Sequence, residues 1–314
     1  MAERGPTRAL KPWYRVYKNG DILNFHYGDS VISLKGGAAE SVLPKLLPLL
    51  DGRHSLEQIE IAAGQDARII RAAIELLERY ELLMDGAIPE AGDGLARTAV
   101  FLSSVDGASI TEKIEASLAA ATVNVIVSSN VASEVLRGLH RSGMAGARGG
   151  SFEDLAERSA DLIVAAPVAA EVVHLRALNE AALKKGQPWM QILQYDGRFA
   201  AIGPIFIPYE TACYACYQLR RAANVKYPNE YLKLEEAETR FEQCAAVDMS
   251  IAGLATLYLM RWIGAQDPAL VGSMLAFAPL SDNAISLNNV LRVPRCPACS
   301  LAAHVNPPAP WHEG

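Results

Sequence analysis

The sequence predicts an α/β protein in two parts, a small α+β domain followed by a larger α/β domain built on a parallel sheet. Three observations lead there. Between Tyr14 and Asp85, short strand-like runs give way to three helical stretches. Beyond Pro89, strand-like and helical runs alternate, the pattern of a sheet with crossover helices. Two Cys-x-x-Cys pairs, Cys213/Cys216 and Cys296/Cys299, lie in that second part.

A chain of 314 residues with 51% hydrophobic content is long enough for two cores. Its 29 Lys+Arg against 35 Asp+Glu leave a formal charge of −6, and no basic, aromatic-interleaved stretch occurs, which argues against nucleic acid as a partner. Met1 to Lys11 carries no apolar signal-peptide segment, and the apolar stretches read as broken short of the roughly 20 residues a bilayer requires. A cytoplasmic protein with no membrane partner is expected. In that compartment five cysteines point to metal ligation rather than to a disulfide framework.

The elements follow in order. Arg15 to Lys18, Ile22 to Tyr27 and Val31 to Lys35 are strand-like, with Asn19-Gly20-Asp21 and Gly28-Asp29 as turns between them. Ala39 to Leu50 reads as a helix after Gly36-Gly37. Ser55-Leu-Glu-Gln58 is a capping-box start for a second helix, and Asp66 caps a third that runs to Leu83. On the third, Ile70, Ala73, Ile74, Leu77 and Tyr80 form an apolar stripe, the mark of a core-facing helix. The shape is winged-helix-like, but no concentrated basic recognition helix is present, which argues against DNA binding. The domains are 1–88, a Pro/Gly-bearing linker 89–95, and 96–314.

Residues 14 to 88, through Gly28-Asp-Ser-Val-Ile-Ser-Leu-Lys-Gly36, Leu49-Leu-Asp-Gly52 and Ser55-Leu-Glu-Gln-Ile59, resemble the PqqD-like recognition element of peptide-modifying enzymes. The resemblance implies that one strand accepts a leader peptide as an added strand while the third helix forms the opposite wall. Carried onto this sequence, the strand is Ser30, Val31, Ile32, Ser33, Leu34 and Lys35, and the helix wall presents Arg71, Ile74 and Glu78. In such augmentation main-chain bonds supply affinity and alternate side chains supply selectivity.

In the second domain Thr98 to Ser103, Val123 to Ser128, Asp161 to Ala166 and Trp189 to Tyr195 are strand-like. Thr111 to Ala121, Ser133 to His140 and Ala170 to Lys185 read as the helices between them, and Val247 to Ile263 as a long helix further on. The two Cys-x-x-Cys knuckles can each turn two thiolates toward one ion, so Cys213, Cys216, Cys296 and Cys299 form a closed tetrahedral zinc site. Four sulfurs leave no open position, which makes the zinc structural, clasping the long helix and the C-terminal strands to the sheet. A redox pair or two unrelated motifs is the competing reading. Cys244, outside both pairs, reads as a small buried residue rather than a nucleophile.

Residues 96 to 304 resemble the ThiF/MoeB superfamily of ubiquitin-activating-like adenylyltransferases. The order Asp161-Leu-Ile-Val164, Leu178-Asn179-Glu180-Ala181-Ala182, Gly186-Gln-Pro188, Gly203-Pro204 and Thr211-Ala-Cys-Tyr-Ala-Cys216, ending in Cys296-Pro-Ala-Cys299, carries it. Against the family pattern, the first-strand turn reads Ser103-Ser-Val-Asp-Gly-Ala108 with one glycine, so the phosphate cradle is lost. The ribose position reads Val127-Ser128-Ser129-Asn130 and offers no carboxylate. Ala165-Ala-Pro-Val-Ala169 stands where the family holds a magnesium aspartate. A non-adenylating relative is expected, with ATP not expected on this chain.

Other features are weaker. Arg137 and Arg141 read as solvated helix-face residues, with a phosphate role as the alternative. His26, His54, His140, His174, His304 and His312 are scattered without metal or triad spacing. Glu235, Glu236, Glu238 and Glu242 mark a charged crossover stretch, and Pro307-Pro-Ala-Pro-Trp311 an extended tail.

Together the two resemblances imply a partner protein of azoline-forming peptide pathways. Such a protein binds the leader region of a ribosomally made precursor peptide and presents it to a separate YcaO-type cyclodehydratase. It contributes proximity and no catalytic residue. A homodimer stays open, since many relatives of the second domain pair. The competing enzyme reading is an ATP-dependent peptide adenylyltransferase, and a dinucleotide-binding oxidoreductase is a third class with only the alternating sheet behind it.

Overall fold

A computed structural model describes residues 7–90, 92–106, 111–156, 158–233 and 243–300. The chain divides into two compact units, Met1–Lys113 and Ile114–Gly314.

In the first unit Arg8–Leu10 (β1) precedes an antiparallel meander of Arg15–Asn19 (β2), Ile22–Tyr27 (β3) and Ser30–Lys35 (β4). Gly20 (φ 61) and Gly28 (φ 56) each open a two-residue Gly-Asp loop, where a left-handed first position matches the twist of the flanking strands. The expected helix over 39–50 forms as three linked pieces, a π-turn Ala38–Val42, an α-turn Leu43–Leu46 (α1) and a 3-10 turn Leu47–Leu49. Pro44 and Pro48 explain the breaks, because each removes an N–H that a continuous helix would donate four residues back.

Ser55 and Gln58 form the expected reciprocal capping box at Leu56–Ala63 (α2), and Asp66 caps Ala67–Arg79 (α3) through the Arg68 amide. Ile70, Ala73, Ile74 and Leu77 are buried against Leu23, Phe25, Leu34, Leu43 and Leu46. Tyr80 departs from the expected stripe: it is the C-cap residue, where the chain leaves the helix, and its ring is exposed. Leu83–Asp85 (β5) then pairs antiparallel with β1.

Thr98 to Ser103, expected as the opening strand of the second domain, is helical. It lies within Gly94–Asp106 (α4), started by the Asp93 carboxylate accepting from the Ala96 amide. Ala99, Val100 and Leu102 are buried on one side of it, and over so short an apolar run helix and strand patterns look alike. Val100 packs on Ala9, Met84 and Trp13, so residues 94–106 belong to the first unit and the compact units meet at 113/114, beyond the anticipated linker.

Thr111–Ala120 (α5) leads into Val123–Ile126 (β6), the true first strand of the larger sheet. Asn130–Arg141 (α6), Ala147–Gly150 (β7), Phe152–Ala156 (α7), Leu162–Ala165 (β8), His174–Lys185 (α8) and Trp189–Leu193 (β9) follow. Then come Ala200–Phe206 (β10), Tyr214–Ala222 (α9), Pro228–Lys233 (α10), Ala245–Gly264 (α11), Ser273–Phe277 (β11) and Ile285–Asn289 (β12). The seven strands run in the order β12-β11-β10-β9-β8-β6-β7. The sheet is mixed rather than wholly parallel: β7, β6, β8 and β9 are parallel, and β10, β11 and β12 attach antiparallel at the β9 side.

One helix corrects the reading of broken apolar stretches. Ala245–Gly264 has 20 residues and a mean hydropathy of 1.2, long and apolar enough by length and composition to cross a bilayer. Its Ile251, Ala252, Ala255, Tyr258 and Leu259 are buried within the second unit, and Tyr258 Oη donates to the Leu270 and Ser273 carbonyls. The side chains therefore serve a protein core. The acidic stretch at Glu235, Glu236, Glu238 and Glu242, the tail with Trp311, and His304 and His312 lie outside the described residues.

Candidate metal centre and peptide-binding surface

The cysteine cluster is built by two turns. Cys213 is the N-cap residue of α9, held where the Tyr214 amide donates to Asn179 Oδ1 of α8 (2.9 Å), and one helical turn brings Cys216 to the same side. The second pair arrives on a segment latched to α9. Arg220 donates to the Leu291 and Arg292 carbonyls (3.2 and 2.9 Å), and Arg292 donates to the Tyr209 and Cys299 carbonyls (2.7 and 3.2 Å).

All four cysteines are buried, beside Leu183, Ala212, Val290 and Val293. Their sulfurs lie within 4.8 Å of one another, with Cys213–Cys216 at 3.9 Å, Cys213–Cys296 at 3.7 Å and Cys216–Cys299 at 3.6 Å. A tetrahedral ion with bonds of about 2.3 Å to sulfur sets sulfur–sulfur edges of about 3.8 Å. The spacing fits that, and it is far too long for disulfides. Cys216 accepts from the Cys213 thiol and from the Val293 amide (3.3 Å), which pull its own thiol well below the usual thiol range. Cys213, as the donor and by burial, is pushed up, and burial likewise raises Cys299. A backbone amide aimed at a sulfur favours the thiolate a metal requires.

The clasp holds different parts from those expected. It ties 296–299 to α8 and α9, while α11 packs on α6 and β10 and contributes nothing to the cluster. Cys244 is exposed rather than buried, at the N-cap of α11 with no side-chain cap bond.

With β6 as first strand, the sequence positions of a nucleotide site move. The turn after it is Val127-Ser128-Ser129, without glycine; Ser129 accepts from the Ala132 amide (3.1 Å) and donates to the Ala166 carbonyl, so its hydroxyl is spent on structure. Residues 103–106 are helical, and 107–108 lie outside the described residues. The second strand is β7, followed by Ser151-Phe-Glu-Asp154, so carboxylates do stand after it, contrary to the expectation drawn from 127–130. Glu153 and Glu171 both line a cavity of about 250 Å³ at the carboxyl ends of β6 and β8, where sheets of this kind hold ligands. No lysine or arginine lines it among the described residues, a poor setting for a triphosphate. Arg137, on α6, pairs with Glu134 on its own helix face.

In the first unit β4 is the outer strand of its sheet. Tyr27 and Ser30 flank the two-residue loop, and the turn bond from the Ser30 amide to the Tyr27 carbonyl makes theirs a hydrogen-bonded pair. Bonded and non-bonded pairs alternate, so Ser30, Ile32 and Leu34 spend their backbone groups on β3, while Val31, Ser33 and Lys35 turn theirs to the free edge. Leu34 is buried and Ile32 packs against the core, which fixes the register. Arg71, Ile74 and Glu78 lie together on α3, but the cavity they line, of about 230 Å³, is completed by Arg8, His54, Leu56 and Ile59 and by no residue of β4. Sequence reasoning missed Arg8, which is placed by the β1–β5 pairing, and His54, whose ring is held by the Asp51 carboxylate.

No family model matches the sequence, and no curated protein matches it. Solved structures share its fold. A heterocyclase in complex with substrate and cofactor aligns over 94% of this chain at a TM-score of 0.71 with 18% identity, and the heterocyclase TruD over 94% at 0.69 with 19%. The microcin C7 biosynthetic enzyme MccB, in complex with N-formylated MccA, aligns over 93% at 0.63 with 14%. This chain spans 40% and 43% of the two heterocyclases and 99% of MccB. At these identities the likeness is one of fold.

Proposed function

We propose that the chain is a substrate-recognition component of ribosomal-peptide maturation. Its first unit, a PqqD-like winged-helix element, captures the leader region of a precursor peptide, and the chain presents that peptide to a YcaO-type cyclodehydratase in the cytoplasm. The observation that carries this reading is the free edge of β4, with alternate backbone groups turned outward and the register fixed by Ile32 and Leu34. An extended peptide adding there gains main-chain bonds at every second residue. The shared fold with heterocyclases and with MccB in complex with N-formylated MccA supports it.

In the second unit Cys213, Cys216, Cys296 and Cys299 would hold zinc through four sulfurs, a closed site that stabilises and activates no water. The glycine-free turn and a cavity lined by no lysine or arginine among the described residues support a chain that leaves ATP chemistry to its partner. Fluorescence polarisation with the labelled precursor leader should give saturable binding, and calorimetry with Mg-ATP no heat. Absence of peptide binding would sink the reading.

Two observations favour a second reading, a peptide adenylyltransferase: the chain covers 99% of MccB, and Glu153 and Glu171 offer carboxylates in the cavity. Peptide-dependent ATP–pyrophosphate exchange would establish it.

A further inference from the structure

We infer that β4 reads the captured peptide at two positions, an acidic residue opposite Lys35 and, four residues later in the peptide, an aliphatic one opposite Val31. This rests on the peptide-capture reading and adds the chemistry the peptide must carry. Both positions lie on β4 itself, so a strand that adds to its edge meets them directly. Main-chain pairing is nearly indifferent to sequence, and selectivity has to come from the side chains that meet across the new pair.

Successive residues of β4 face opposite sides of the sheet. Ile32 and Leu34 face the core with Leu23 and Phe25, so Val31, Ser33 and Lys35 share the outer face. All three are exposed, Val31 by 55%. Their backbone groups are also the ones turned to the free edge. Each would therefore form a hydrogen-bonded pair with one peptide residue, whose side chain stands on the same face about 5 Å away. Antiparallel addition continues the meander and is the more stable pairing per residue, so the peptide residue opposite Lys35 precedes the one opposite Val31.

The three positions differ in what they have left to offer. Ser33 donates its hydroxyl to Asn24 Oδ1 (2.7 Å), which spends its one side-chain donor within the sheet and leaves the residue opposite it least restricted. Lys35 has no ion pair among the described residues. No side chain that β2, β3 or β4 places on this face is a carboxylate, and Arg15 stands on it as a second cation. The face is thus positive on a chain of net charge −6. An aspartate or glutamate opposite Lys35 completes a cross-strand ion pair, whereas a lysine or arginine there meets a like charge. Val31 offers branched apolar surface and no polar side-chain atom, which favours an aliphatic partner.

The test is a phage-displayed library of short random peptides panned against the full chain and against Lys35→Glu, Val31→Glu and Ser33→Pro variants. Wild type should enrich peptides with Asp or Glu four residues before Val, Ile or Leu. Lys35→Glu should switch the first position to Lys or Arg and leave the second. Val31→Glu should replace the aliphatic residue by a basic one and leave the first. Each change should be about two- to fivefold in frequency, the scale of one cross-strand pair. If wild-type peptides lack an acidic and an aliphatic residue in that order and spacing, or if either glutamate variant enriches the same peptides as wild type, the two-position reading falls while peptide capture stands. If wild type enriches no peptide over bare matrix, or if Ser33→Pro holds the enriched peptides as tightly as wild type does, capture at β4 itself fails and the two positions with it.

Discussion

The β4 edge of the first unit and the cysteine corner of the second are opposites. At β4, Val31, Ser33 and Lys35 hold backbone donors and acceptors that no strand among the described residues meets. At the cysteine corner every group is engaged: four buried sulfurs face one another, the Val293 amide points at one of them, and two arginines tie down the carbonyls around them. A cluster whose four sulfurs would all go to one ion has no open position for a further ligand and acts on stability. An unsatisfied strand edge is a liability unless something pairs with it, so recognition is to be sought there.

The comparison breaks most visibly at its closed side. Cys296→Ser should lose the metal and lower stability by about 3 kcal/mol or more, because burial of the remaining thiols is no longer compensated. Thermal melting and metal content by mass spectrometry would check it; unchanged melting with a full zinc complement would refute the clasp. Peptide binding should survive.

A similar loss is expected in the first unit at a place unrelated to recognition. Gly52 has φ 75, and a Cβ there would lie 1.9 Å from the Gly86 carbonyl oxygen, backbone against backbone. Gly52→Ala should cost about 3 kcal/mol in urea denaturation. A neutral result would mean that the approach of 52 to 86 is dispensable.

A smaller effect belongs to Asp161, whose carboxylate accepts from the Thr122 amide (2.7 Å) and hydroxyl (2.8 Å), holding its pKa below the usual range. A lowered folded pKa means the contribution is present above the unfolded value near 4 and lost as pH falls through the folded one. Asp161→Asn should therefore cost about 1 kcal/mol at neutral pH and less in acid. Equal losses at both pH values would assign the effect to packing.

Local chemistry made much of this legible. Ser55 with Gln58, Asp66 ahead of an apolar stripe and Gly-Asp between strand runs are signals complete within a few residues, and each takes its expected place; the two Cys-x-x-Cys pairs, each local, come together as one buried cluster. The misses needed distant partners. Residues 98–103 are helical because Val100 meets Ala9 and Met84. The antiparallel half of the sheet was hidden because β10 is interrupted at Gly203-Pro204, where its register shifts, and because β12 is exposed along most of its length and shows no alternation. Misplacing the first strand moved the nucleotide positions, which is why Glu153 went unnoticed. The cavity beside α3 stayed invisible for the same reason, since Arg8 reaches it only through β1.

The most direct test of the account is a titration of the labelled precursor leader against wild type and Ser33→Pro. The Ser33 amide points to the free edge, so proline there removes a backbone donor the fold does not use and leaves the backbone bonds to β3 intact, at the cost of the exposed bond from the Ser33 hydroxyl to Asn24 Oδ1 (2.7 Å). The account predicts saturable wild-type binding and at least a tenfold loss in the variant, about 1.4 kcal/mol, with metal content unchanged and melting lowered only by the loss of that one exposed bond. Equal affinity of the two proteins would contradict it.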